Sequence, residues 1–256
     1  MFQNGYQIGR VFGVPIRLDW SLIILAIYFS LSVGSLILGV TAAALLMLSV
    51  ALHELGHTYT ALRFGCRVRD ITLMLIGGRA TLLDMPREPW KEFVLAASGP
   101  LVSAVLWLGG RQLLPLVHGA PLLAGMLYYL TLINRMLFLF NLIPAFPMDG
   151  GRMLRALLAQ RTGRLRATFY ASRIGRAAAI LMGIWAVFHG FNFFLLLIAL
   201  FIYQSAGIEY RMVQAEAGMG GGFFGGYGAA PPDDRVIISP PPYRRGRDIA
   251  DVFKDL

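Results

Sequence analysis

Charge is scarce in this chain. Only 14% of its 256 residues are Asp, Glu, Lys or Arg, and 57% are hydrophobic, whereas a soluble domain carries about 25% charged residues. That deficit excludes an ordinary soluble domain and points to a polytopic membrane protein. Cysteine is nearly absent. Cys66 stands alone, so no intramolecular disulfide can form and a cysteine-ligated zinc cluster is excluded. Acidic residues number 14 against 23 basic ones, a net charge of +9. Aromatic residues are not interleaved with a basic patch as a nucleic-acid reader would need, so no nucleic-acid partner is expected. The arginines gather in particular loops, as membrane topology and anionic lipid would have them. A cleavable signal peptide is not expected either, because the first apolar run, from Trp20, is too long and no small-residue cleavage site follows a basic start.

Histidine is scarce too, and its placement is informative. Of the four histidines, His53 and His57 stand in the stretch Ala51-Leu-His53-Glu54-Leu-Gly-His57. This His-Glu-x-x-His stretch lies inside an otherwise apolar or small run from Thr41 to Leu62, 22 residues and long enough to cross a bilayer. Titratable side chains at that depth are costly and call for a function. Residues i and i+4 share a helix face, so the two imidazoles can serve one metal ion. Glu54 is turned about 100° from His53 and can act beside the metal without being a ligand. The arrangement is that of a zinc hydrolase: two histidine ligands and a carboxylate base. The plainer alternative is polar residues joining helices.

The remaining apolar runs predict an all-α polytopic protein of six transmembrane helices, with a small β element. The expected spans are 20–40, 41–62, 93–110, 122–142, 170–188 and 192–209. Residues 1–19 read as an amphipathic or strand-like lead-in at the membrane surface. Between the second and third spans, Ile71, Leu73 and Leu75 alternate with Thr72 and Met74, and Gly77-Gly78 supplies a turn. That pattern predicts a β-hairpin over 68–83. Open strand edges cannot face lipid, so the hairpin must pack on protein or lie at the water interface. Pro144, Pro147, Gly150 and Gly151 predict an irregular segment after the fourth span, tolerable at membrane depth only against protein or a cavity. Residues 152–176 carry seven arginines and no acid. The Gly- and Pro-rich stretch 211–256 is expected to be a disordered tail. With six spans the arginine-bearing loops fall on one side, so the positive-inside rule puts both termini in the cytosol of a multi-pass protein of the cell membrane.

Catalytic zinc usually has three protein ligands. His118, His189, Glu209 and Asp149 are the spare candidates near the membrane. The topology brings Asp149 to the depth of His57 and sends His118 and His189 to the opposite face, which favours Asp149. Taken alone, Asp149 would read as a turn or capping aspartate. Asn134 and Asn141 share a helix face. A side-chain amide can stabilise an oxyanion, a role open to Asn141, whereas for Asn134 interhelical hydrogen bonding is preferred.

Two motifs together make the chain resemble the site-2 protease family of intramembrane zinc metalloproteases. One is His53-Glu54-x-x-His57; the other is Asn141-x-x-Pro144-x-x-Pro147-x-Asp149-Gly150. GRVFGVPIRLDWS, DITLMLIGG and AFPMDGGRMLRALL extend the match, so that it covers roughly residues 9–209. The resemblance implies one Zn2+ per chain held by His53, His57 and Asp149, with Glu54 activating water. It implies cleavage within the bilayer of single-span membrane protein substrates, and a strand-rich segment, matched by residues 68–83, that pairs with an unwound substrate. It leaves the oligomeric state open. Many relatives with this start and the AFP-x-DGGR form carry a cytosolic CBS domain pair after the last span. The segment here is too short and polar to fold one, so nucleotide-type control is not expected. A membrane metal transporter would spread ligands along a path and show inverted repeats, neither of which is visible. An inactive scaffold is disfavoured by the intact ligand and base set.

Overall fold

A computed structural model describes residues 5–75, 77–86 and 88–222. The chain divides into residues 1–215 and 216–256. Of the second unit only the closing turns of the last helix are described, and residues 223–256, most of the expected tail, lie outside the described residues.

The lead-in forms strands β1 (Tyr6–Val11) and β2 (Val14–Leu18). Helices α1 (Leu22–Val33) and α2 (Leu36–Arg63) follow, then β3 (Val68–Met74) and β4 (Gly77–Leu82). The four strands make one sheet in the order β1-β2-β3-β4. The pairs β1–β2 and β3–β4 are antiparallel hairpins, and β2 runs parallel to β3 with Ile16 opposite Ile71. The hairpin expected at 68–83 is therefore half of a larger sheet, completed by the lead-in. Its inner face buries Val14, Ile16, Ile71 and Leu73 against Val50, midway along α2. Protein, not lipid, covers that face, as backbone at membrane depth demands.

The first span differs from the sequence expectation. Residues 20–40 do not make one helix. Gly34 adopts the left-handed conformation (φ 71°) and ends α1, as glycine at helix C-termini commonly does. Ser35 then caps α2, its hydroxyl accepting from the Leu38 amide at 3.4 Å. With 12 residues, α1 rises about 18 Å, short of a hydrocarbon core of about 30 Å. Among the described residues five helices are long and apolar enough to cross: Leu36–Arg63, Pro89–Val117, Pro121–Asn141, Arg164–Phe188 and Phe193–Ala217.

Helix α3 (Pro89–Leu113) starts with proline at its first turn, where a missing amide is harmless. It continues through a short 3-10 turn into α4 (Pro121–Asn141). The arginine-rich stretch, read as a connection from 152 onward, is helical. Helix α5 (Asp149–Thr162) and α6 (Arg164–Phe188) meet at Gly163, whose φ is 75°. Arginine is a good helix former, so a loop's worth of charge does not imply coil. Helix α7 (Phe193–Gly222) begins after Gly190 and Phe191, both at positive φ, with Asn192 capping the Leu195 amide. The irregular segment between α4 and α5 is sealed by protein. Ala145 and Met148 pack with Ala179 and Ile202, and Phe146 with Ala171 and Ala206. It includes a cis Phe146–Pro147 peptide.

Candidate metal centre

The buried face of α2 carries Ser49, His53 and His57 in succession, one helical turn apart. Helix α3 crosses this face closely. A Cβ at Gly56 would lie 2.8 Å from the Ser98 carbonyl oxygen, so glycine is what lets the two backbones approach. The third contribution comes from Asp149, the first residue of α5, delivered by the sealed segment after α4. His53 is 4% exposed, His57 7% and Asp149 7%, a depth at which three polar groups need a common partner.

Their donor atoms converge. Asp149 Oδ2 lies 3.2 Å from His53 Nε2 and 3.1 Å from His57 Nε2, and the two Nε2 atoms are 3.3 Å apart. Tetrahedral ligands at zinc bond lengths of 2.0–2.2 Å stand about 3.3–3.5 Å from one another, so the triangle has nearly the size a zinc ion requires. The His57 tautomer agrees. His57 Nδ1–H donates to the Leu95 carbonyl at 2.8 Å, an acceptor only, which leaves Nε2 a lone pair. His53 Nδ1 meets Ser103 Oγ at 3.0 Å. Outer partners of this kind fix the orientation of metal-binding imidazoles. Opposite the two rings stands Gly99, where a Cβ would lie 2.6 Å from His53 Nε2 and closer still to His57 Nε2. The cradle is therefore open only because residue 99 has no side chain. Two imidazoles and a carboxylate suit zinc, and the site fits one ion. Among the described residues this is the one group of three or more such side chains spaced to hold a metal.

Glu54 is half-buried, and its Oε2 accepts the Ala80 backbone amide of β4 at 3.0 Å. Asn141 Nδ2 donates to the Leu137 carbonyl of its own helix at 2.9 Å. Asn134 is the interhelical tie the sequence suggests, its Nδ2 donating to Ser49 Oγ at 3.0 Å. The spare ligand candidates are occupied elsewhere. His118 is exposed and bonds the Pro115 carbonyl, His189 stacks on Trp185, and Glu209 pairs with Arg155.

Ser103, the Leu95 carbonyl and Gly99 escaped the sequence reading as parts of the site. The run Ser98-Gly99-Pro100 signals close helix approach, but nothing in it names what the glycine faces. Arg155 also escaped it. It is 1% exposed, with Nε donating to Glu92 Oε1 at 2.7 Å and a terminal nitrogen to Glu209. This ion triad joins α3, α5 and α7 two turns past Asp149, and the guanidinium lies over the Phe146 ring.

Comparison with known proteins accords with the geometry. The model of peptidase family M50 matches residues 41–112 and 119–184. A zinc metalloprotease of Methanocaldococcus jannaschii is 39% identical over 213 residues, covering 81% of this chain and 61% of that protein. A putative zinc metalloprotease of Synechocystis sp. is 38% identical, covering 84% and 62%. The chain thus spans about three fifths of the length of these curated relatives. A solved site-2 protease structure from Methanocaldococcus jannaschii superposes with a TM-score of 0.61 at 37% identity, covering 81% of this chain and 95% of that one.

Proposed function

The chain belongs to peptidase family M50, the site-2 protease family, and from that premise we propose that it is a zinc-dependent endopeptidase cutting peptide bonds within membrane-spanning segments of substrate proteins. The observation that carries this reading is the buried triangle formed by His53 and His57, on a helix long enough to cross the bilayer, with Asp149 at the start of α5. Zinc held there would supply Lewis acidity toward the scissile carbonyl and a lowered water pKa. Glu54 takes a proton from the attacking water on its carboxylate and returns it to the leaving amide nitrogen. Asn141 Nδ2 has a second N–H beside the one given to the Leu137 carbonyl, and we assign that donor to the developing oxyanion. The substrate span must unwind, because a helix hides its amides in its own hydrogen bonds. The outer edge of β4 then offers the extended segment a strand to pair with. The substrate class is a single-span membrane protein, and the arginine-bearing loops support a cytosolic side for the segments that carry them.

The test uses purified wild type and Glu54→Gln, reconstituted with a single-span model protein, with zinc content measured on both. Zinc retained and cleavage lost in the variant is the expected result. Equal cleavage by the variant would overturn the assignment, and zinc uptake into liposomes by both forms would point to transport instead.

A further inference from the structure

The base assigned above is not idle in this structure. β4 is the edge strand of the sheet, and Ala80 pairs across to Ile71. The Ala80 amide is turned away from β3, onto the free edge, where Glu54 Oε2 accepts it. Gly78, two residues earlier, presents its backbone to the same edge. There the strand rests directly on α2. A Cβ at Gly78 would lie 2.6 Å from Glu54 Cγ and 2.8 Å from Val50 Cγ1, so only glycine allows this seat. A hydrogen bond and a steric fit thus agree in bringing the free edge of β4 onto the carboxylate.

An extended peptide adding to that edge needs the Ala80 amide as its donor. Glu54 already holds it, and one N–H cannot serve both well. We infer that the Ala80 backbone amide is a latch: in the resting enzyme it holds the Glu54 carboxylate at the strand edge, and pairing of an extended substrate segment with β4 displaces Glu54 and frees it for proton transfer. The inference rests on the protease reading and names Ala80 as a positioning residue for its base. It couples substrate docking to readiness of the site, and it keeps an oxygen of the base engaged while no peptide is present.

Two measurements on the zinc-loaded protein in nanodiscs test it. The first is hydrogen exchange resolved to single amides without substrate. Glu54→Ala should speed exchange at Ala80 at least tenfold and leave the ladder amides of Arg79 and Thr81 unchanged. Unchanged exchange at Ala80, or a rise spread over all of β4, would overturn the latch. The second compares two catalytically silent forms for binding of a fluorescein-labelled single-span peptide. Gln at 54 keeps an acceptor for the Ala80 amide and Ala does not. Glu54→Ala should therefore bind the peptide about three- to tenfold more tightly than Glu54→Gln. The difference should vanish when Ala80→Pro is added to both, since proline removes an amide that is not in the ladder and is tolerated on an edge strand. Equal or reversed affinities would overturn the latch. Failure of the wild type to cut the peptide would strike the protease reading alone, because exchange at Ala80 tests the latch with no substrate present.

Discussion

Replacing Gly99 by alanine adds one methyl group and should abolish zinc binding. The added carbon would sit 2.6 Å from His53 Nε2 and from His57 Cε1, and nearer still to His57 Nε2. An uncrowded contact between such atoms is about 3.5 Å, so either the imidazoles or α3 must move by about 1 Å. α3 cannot easily move, because Gly56 already holds its backbone at close approach. Metal sites tolerate displacements of only about 0.2 Å in ligand distance. Loss of an outer hydrogen bond alone weakens binding about 10- to 100-fold, so a direct collision with two donor atoms should weaken it at least 100-fold, about 3 kcal/mol. The assay is bound zinc by mass spectrometry after equilibration in buffers of fixed free zinc. Gly109→Ala is the control, on the same helix with nothing within 4 Å of the added carbon. Wild-type zinc affinity in Gly99→Ala would refute the placement of the metal between these rings.

Ser103→Ala removes the partner of His53 Nδ1 and should lower zinc affinity about 10- to 100-fold without altering the helical circular dichroism of the protein. Arg155→Ala leaves Glu92 and Glu209 without their cation. Breaking a buried ion group costs about 3–5 kcal/mol, which denaturation in mixed micelles should register, whereas Arg166→Ala, at an exposed position on α6, should change little. Outside the spans, hydrogen bonding from the Arg67 guanidinium holds the Asp84 carboxyl below its usual range. A depressed folded-state pKa means the stabilisation is present above the unfolded value, about 3.9, and is lost as pH falls through the folded one. The melting temperatures of wild type and Asp84→Asn should therefore differ at neutral pH and converge in acid.

How much of this was legible in the sequence depended on how local the signal was. His53, Glu54 and His57 declare themselves by helical spacing within one apolar run, and the structure keeps them on α2. Asp149 is distant in sequence, yet loop charge and the second motif bring it to the histidines, and the donor triangle agrees. The alternation in 71–75 announces strands, but a single pattern cannot say which other strands complete a sheet, so the pairing of Ile16 with Ile71 was hidden. An uncharged run reads as one span even where Gly34 and Ser35 divide it. The helix α5 was concealed because its arginines resemble a loop, and only the fold turns Arg155 inward. The partners of the imidazoles, and of Glu54, are fixed by tertiary crossing of α2 with α3 and with β4. No residue spacing reports those contacts.

The central claim is that the bond cut lies inside a membrane span. Wild-type protein and a single-span substrate, reconstituted together in liposomes with zinc, yield products whose new termini can be read by mass spectrometry. The proposed function predicts a terminus within the substrate's apolar span, absent when zinc is chelated and absent with Glu54→Gln. A zinc-dependent terminus confined to the polar segment outside that span would contradict it.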